Sequence, residues 1–129
     1  MVKKIKLICF LLIILFSETF ANRVIGYYPY WVQTTFLPQN IDFETFTHIN
    51  HAFAWPDING EIVAPSSSFF NTETSTYIHG QNGKFILSLG GWGQTQGFIS
   101  STSSQELRTI FIDNIIEKLN NFGYDGVDI

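Results

Sequence analysis

The sequence predicts an α/β fold in which parallel strands are joined by helical crossovers. Three observations predict it. Short apolar runs rich in β-branched and aromatic residues recur along the chain. One of them, Lys84 to Leu89 ("KFILSL"), is apolar almost throughout, which suits a strand covered on both faces. The clearest helix of the chain lies between that run and the next, the order of a β-α-β unit. At 129 residues the chain has the length of one small domain.

Composition narrows the class. Hydrophobic residues make up 45% and charged residues only 14%, so the chain is globular rather than disordered. Aromatics reach 16%, with thirteen Phe, five Tyr and three Trp. Such a load either fills a core or stacks on flat apolar faces such as sugar rings, and composition alone favours the core.

The first 21 residues read as a secretory signal peptide. Lys3, Lys4 and Lys6 form a basic start, and Leu7 to Phe16 is an unbroken apolar run. Ser17 and Glu18 follow, then Thr19-Phe20-Ala21, with small residues where a signal peptidase reads. A membrane anchor is the rival, but a span needs about 20 apolar residues. Export with cleavage near Ala21 and no stable membrane anchor is therefore expected. Cys9, the only cysteine, leaves with the leader, so no disulfide supports residues 22–129. Those residues retain as basic groups only Arg23, Lys84, Arg108 and Lys118, in a chain whose net charge is already −4. No basic patch suited to nucleic acid is present.

The elements follow in order. Arg23 to Tyr28 ("RVIGYY") is a first strand ended by Pro29. Phe46 to Trp55 ("FTHINHAFAW") is a second, ended by Pro56. Asp57 to Glu61 ("DINGE") carries an Asn-Gly turn signal. Lys84 to Leu89 is the third strand, stopped by Gly90-Gly91. Ser103 and Glu106 have capping-box spacing for a helix. Leu107, Ile110, Phe111, Ile115, Leu119 and Phe122 form its apolar stripe. Gly123 ends it at the position that favours a left-handed residue. Tyr124 to Ile129 ("YDGVDI") is the fourth strand.

That last strand carries two carboxylates, Asp125 and Asp128. Side chains alternate along a strand, so Val127 and Ile129 share one face, suited to packing beneath helices. Asp128 points to the other face, which in a closed parallel barrel is the interior. An unpaired buried carboxylate is costly. Residue pattern alone leaves two readings open: a functional interior carboxylate, or one at a strand end in water or in a structural ion pair. His48, His51 and His79 lack a spacing with carboxylates that suggests a metal site, and His48 and His51 are expected in or beside the core.

Four segments, in order, resemble the secreted chitinases of glycoside hydrolase family 18. "GYYPYW" (Gly26 to Trp31) is similar to the family's first strand, and "THINHAFAW" (Thr47 to Trp55) to its second. "SLGGWG" (Ser88 to Gly93) matches the S-x-G-G motif of the third. "DGVDI" (Asp125 to Ile129) matches the start of the fourth-strand motif D-x-x-D-x-D-x-E. The resemblance covers residues 22–129 and implies a (β/α)8 TIM barrel, a fold of typically about 250 residues. The expectation is an incomplete barrel: roughly the first three β-α units plus strand four, the N-terminal part of a longer catalytic domain.

The resemblance also implies chemistry. Family 18 enzymes cleave β-1,4 bonds between N-acetylglucosamine units with retention, the sugar's own acetamido oxygen acting as nucleophile. The motif's glutamate is general acid and then base, and the aspartate two before it orients the acetamido group. Counting from Asp128, these fall at positions 130 and 132, so the chain alone is expected to be inactive. Asp128 corresponds to the supporting carboxylate, Asp125 to a structural motif aspartate, and Ser88 to a hydroxyl that can reach the aspartate pair. Tyr27, Trp31, Phe53 and Trp92 correspond to aromatics facing the sugar, with Gly90 and Gly91 turning the chain outward beside them. No cofactor is implied; the partner is chitin or N-acetylglucosamine oligosaccharides. Two further readings are a chitinase-like lectin without the glutamate and an endo-β-N-acetylglucosaminidase.

Overall fold

The computed structural model describes residues 22–129; the expected leader lies outside the described residues. Strand β1 spans Ile25–Pro29, β2 His48–Pro56, β3 Ile62–Val63, β4 Lys84–Leu89 and β5 Gly126–Asp128. Four of them form a parallel sheet in the order β1-β2-β4-β5, while β3 folds back antiparallel on the end of β2. Helix α1 covers Thr72–Gly80, α2 Gln96–Ser101 and α3 Gln105–Phe122. The connections β2-α1-β4 and β4-α2-α3-β5 are the expected crossovers between neighbouring parallel strands.

Local chemistry explains the boundaries. Asp57 organises the turn after β2: its Oδ1 accepts from the N–H of Asn59 and of Glu61, at 2.8 and 3.0 Å. This Asx-type arrangement reverses the chain into β3. Asn71 caps α1 by accepting from the N–H of Thr74 at 2.9 Å. Gly123 closes α3 in the left-handed conformation, φ 70°. The N-cap of α3 is Ser104, which accepts from the N–H of Leu107 at 3.2 Å, and not the expected Ser103. Ser103 instead donates to the Ser100 carbonyl and ends α2.

The strand register sorts the side chains. One face of the sheet presents three rows: Ile25, His48 and Lys84; then Tyr27, Asn50, Ile86 and Gly126; then Pro29, Ala52, Ser88 and Asp128. The other face carries Tyr28, Ile49, His51, Phe85 and Leu87, all buried. Phe69, Ile78, Phe111, Ile115 and Tyr124 complete the core on that side. Of the expected α3 stripe, Phe111 and Ile115 are buried but Ile110 is exposed. Val127 and Ile129 also depart from expectation. They are exposed, at 38% and 77%, because β5 is an edge strand paired only to β4.

Candidate functional site

The parallel strands all deliver their C-terminal ends to one side of the sheet, the usual place for sites on such folds. Asp128 ends β5 there, level with Ser88 on β4 and Ala52 on β2. Its Oδ2 accepts two hydrogen bonds: from Ser88 Oγ at 2.7 Å and from the Tyr27 hydroxyl at 2.9 Å. Tyr27 belongs to the row below, and the length of its side chain brings the hydroxyl up to the carboxylate. Charge-assisted bonds of this length are strong and directional. One carboxylate oxygen of β5 is therefore fixed by donors from two other strands, β1 and β4, and Oδ1 has no donor among the described residues. Asn50, 4% exposed, lies in the row beneath and adds a buried polar group to this face.

Aromatics flank the carboxylate. Tyr27 and Phe53 have ring centroids 5.9 Å apart, and Phe53 and Trp31 6.5 Å apart. Phe53 occupies a shift in the β2–β4 register between Ala52 and Ala54, so it leaves the regular alternation. Trp31 follows β1 in a short 3₁₀ helix, Tyr30–Val32, and meets Tyr30 edge-on at 5.4 Å. Tyr27 and Trp31 stay more than half exposed. They form, with Phe53, a row of apolar faces open to solvent.

The loop after β4 borders the row. Gly90, Gly91 and Gly93 all have positive φ. A Cβ at Gly91 would lie 3.2 Å from the Phe53 ring, so glycine there lets the loop pass close to that aromatic. Trp92, between the glycines, is fully exposed and stands outside the Tyr27–Phe53–Trp31 row.

Asp125 sits apart, at the opposite end of β5. Its Oδ2 accepts from the Phe85 N–H at 2.8 Å, and its backbone N–H donates to the Phe85 carbonyl at 2.7 Å. His79 Nε2 lies 2.8 Å from Oδ2 and Lys84 Nζ 2.8 Å from Oδ1. Burial works to raise the Asp125 pKa. The hydrogen bonds from Lys84, Phe85 and His79, together with the charge of His79, outweigh it and hold the carboxyl below its ordinary value. The structure thus brings together Asp128, Ser88, Tyr27, Phe53 and Trp31, with Gly90 and Gly91 alongside, and separates Asp125 as a clasp between β5, β4 and α1.

Sequence reasoning assigned Tyr27 to the sugar face and missed its bond to Asp128. Counting the parallel register from Pro29 and Ser88 would place Tyr27 one row below Asp128 and within reach. It also missed His79 and Lys84 as partners of Asp125, and no local pattern signals them. An apolar cleft of about 270 Å³, lined by Gly26, Tyr28, Phe36, Ile41, Phe46 and Ile49 among others, opens along the β1 edge rather than over Asp128.

Parallel strands joined by helical crossovers, with a braced carboxylate and an aromatic row at their C-terminal ends, make a partial α/β sheet, and its likeness to chitinase structures makes the class part of a (β/α)8 barrel. The model of the glycosyl hydrolases family 18 matches residues 23–129, and the chain belongs to that family. It is 30% identical over 117 residues to the human chitinase-3-like protein 2, covering 84% of this chain and 30% of that protein. With a chitinase-like effector of Moniliophthora roreri it shares 28% over 105 residues, 81% of this chain and 26% of the relative. Among solved structures, a Rhizomucor miehei chitinase matches in fold with a TM-score of 0.70 at 24% identity, over 82% of this chain and 32% of that one. The human pseudo-chitinase YKL-39, described as retaining chitooligosaccharide binding, matches with a TM-score of 0.68 at 27% identity, over 83% of this chain and 32% of that chain. The chain therefore spans about a third or less of the length of these relatives.

Proposed function

We infer that these residues form the glycon-side wall and carboxylate support of a chitinase-type site that handles β-1,4-linked N-acetylglucosamine chains. The observation that carries this reading is the double hydrogen bond from Tyr27 and Ser88 to one oxygen of Asp128, directly beside the Tyr27–Phe53–Trp31 row. A pyranose presents an apolar face of axial C–H bonds, which suits open aromatic rings. A carboxylate whose Oδ2 is fully occupied keeps Oδ1 for a neighbour in the same motif. In the retaining, substrate-assisted scheme that neighbour orients the acetamido group, and the glutamate at position 132 of the pattern transfers the proton. Export guided by the leader belongs to the same reading.

A binding function without bond cleavage is the second reading. It is favoured by relatives named chitinase-like and by the pseudo-chitinase that retains oligosaccharide binding. The aromatic row serves either reading, so calorimetric titration of the intact protein with N-acetylglucosamine tetramer tests what they share. Binding is expected, with Trp31→Ala weakening it tenfold or more. An absence of binding by the intact protein would overturn both. Product analysis then separates them: shorter oligomers with the β-anomer retained support the hydrolase, and unchanged tetramer supports the lectin.

A further inference from the structure

His51 is buried on the helix side of the sheet, at 1% exposure, away from the carboxylate site. Its ring lies flat on Phe69, with centroids 3.8 Å apart and planes 5° from parallel. Phe85, Tyr124 and Tyr28 enclose it at 5.0, 6.0 and 6.2 Å. Nδ1 is 2.8 Å from the Tyr124 hydroxyl, and Nε2 has no hydrogen-bond partner among the described residues. The titratable side chains beside it are Tyr124, from the segment leading into β5, whose hydroxyl meets Nδ1, and Tyr28, from β1, whose ring lies alongside while its hydroxyl donates to the Phe36 carbonyl at 2.9 Å. Phe69 and Phe85 pack against its ring, and among the described residues no carboxylate or cation contributes to its environment.

We propose that His51 is an acid-sensitive switch: a proton on its ring has no counter-charge in this aromatic box, so acidification releases Phe69 and Tyr124 from the sheet. Neutral imidazole is tolerated because Nδ1 is satisfied by Tyr124 and the ring stacks as an aromatic. An imidazolium would have to be held by π-faces alone, with one N–H orphaned. Burial accordingly drives the pKa down to about 3. Tyr124 is joined directly to Asp125 and β5, so its release loosens the strand that carries Asp128.

The sign follows from linkage. An unfolded histidine titrates near about 6.5, so the folded form is favoured in full above that pH. Between roughly pH 6.5 and the folded value, the unfolded state binds the extra proton, and the unfolding equilibrium constant rises about tenfold per pH unit.

The test follows unfolding of the full chain by circular dichroism in denaturant from pH 7.5 to 4.5. About a fiftyfold rise in the unfolding constant is expected between pH 6.5 and 4.5 in the wild type. The double variant His51→Phe/Tyr124→Phe, which makes the box wholly apolar without an orphaned hydroxyl, is expected to flatten that slope. His48→Gln is the control, because His48 is also shifted down, by burial first and then by the charge of Arg23, and it should leave most of the slope in place. An unchanged slope in the double variant would overturn the proposal. Should that variant fail to fold, the wild-type ring is followed by proton NMR: a His51 resonance titrating near pH 6.5 in the folded protein overturns the switch, and one silent down to about pH 4.5 supports it.

Discussion

Replacing Asp125 by alanine tests how β5 is held. The carboxylate accepts three bonds, from the Phe85 N–H, Lys84 Nζ and His79 Nε2. Phe85 is fully buried, so loss of its acceptor strands a backbone donor at the edge of the core. An unsatisfied buried donor costs about 1–3 kcal/mol. Lys84 and His79 are partly exposed, at 56% and 42%, so the Lys84 ion pair and the His79 hydrogen bond add less than about 1 kcal/mol each after solvent screening. The expected loss is about 2–4 kcal/mol, which for a domain of this size lowers Tm by roughly 10–20 °C. Urea unfolding at pH 7 measures it, with the midpoint falling at constant m. Asp125→Asn retains an oxygen for the Phe85 N–H and should recover at least half of the loss. If Asp125→Ala unfolds within about 0.5 kcal/mol of the wild type, the range of a neutral surface change, the clasp holds nothing and the reasoning fails.

Three further outcomes follow from the same geometry. A Cβ at Gly97 would overlap the Pro56 carbonyl oxygen, so Gly97→Ala must push α2 off the end of β2; a loss of about 1–3 kcal/mol is expected in the same urea assay. Ser88→Ala removes the 2.7 Å donor to Asp128 from a buried position, and Tyr27→Phe removes the 2.9 Å donor from an exposed one. With hydrogen bonds to charged groups worth about 1.5–3 kcal/mol, each should lower kcat of the proposed hydrolysis by roughly tenfold to a hundredfold in a protein that carries these residues together with the complete fourth-strand motif, measured on chromogenic N-acetylglucosamine oligomers. Trp92→Ala leaves stability within about 0.5 kcal/mol, because its side chain touches nothing in the fold, and any loss of oligosaccharide affinity then reports direct contact.

What could be read from the sequence was the part written in local chemistry. Lys84 to Leu89 is β4 to the residue, because an apolar run between a charged start and a Gly-Gly stop has one reading. Gly123 ends α3 where a left-handed residue was required. Helix α1 escaped notice because "TETSTYIHG" buries only Ser75 and Ile78 and shows no apolar stripe; its one readable signal was the Asn71 cap. Ser103 and Ser104 both offered a hydroxyl, and the break between α2 and α3 decided for Ser104. The site was legible in its residue types but not in its wiring. Tyr27 and Asp128 are 101 positions apart, and His79 and Asp125 46 apart, so only the closed sheet shows that they meet.

The two ends of β5 and the histidine behind it fail in different pH ranges, and this separates their roles. Asp125 has a lowered folded pKa, so the stability it contributes is present above its unfolded value of about 3.9 and is lost as pH falls below it. The contribution tied to neutral His51 is already being lost from about pH 6.5. Acid unfolding should therefore steepen in two stages, the first removed by the His51→Phe/Tyr124→Phe pair and the second weakened by Asp125→Asn. Observing a single stage near pH 4 in the wild type would mean that the aromatic box tolerates the imidazolium. Two stages with only the second sensitive to Asp125 would mean that the clasp still holds β5 to β4 after Tyr124 has let go. In that case the bond from Ser88 to Asp128, which depends on β4 and β5 alone, should outlast the core behind it.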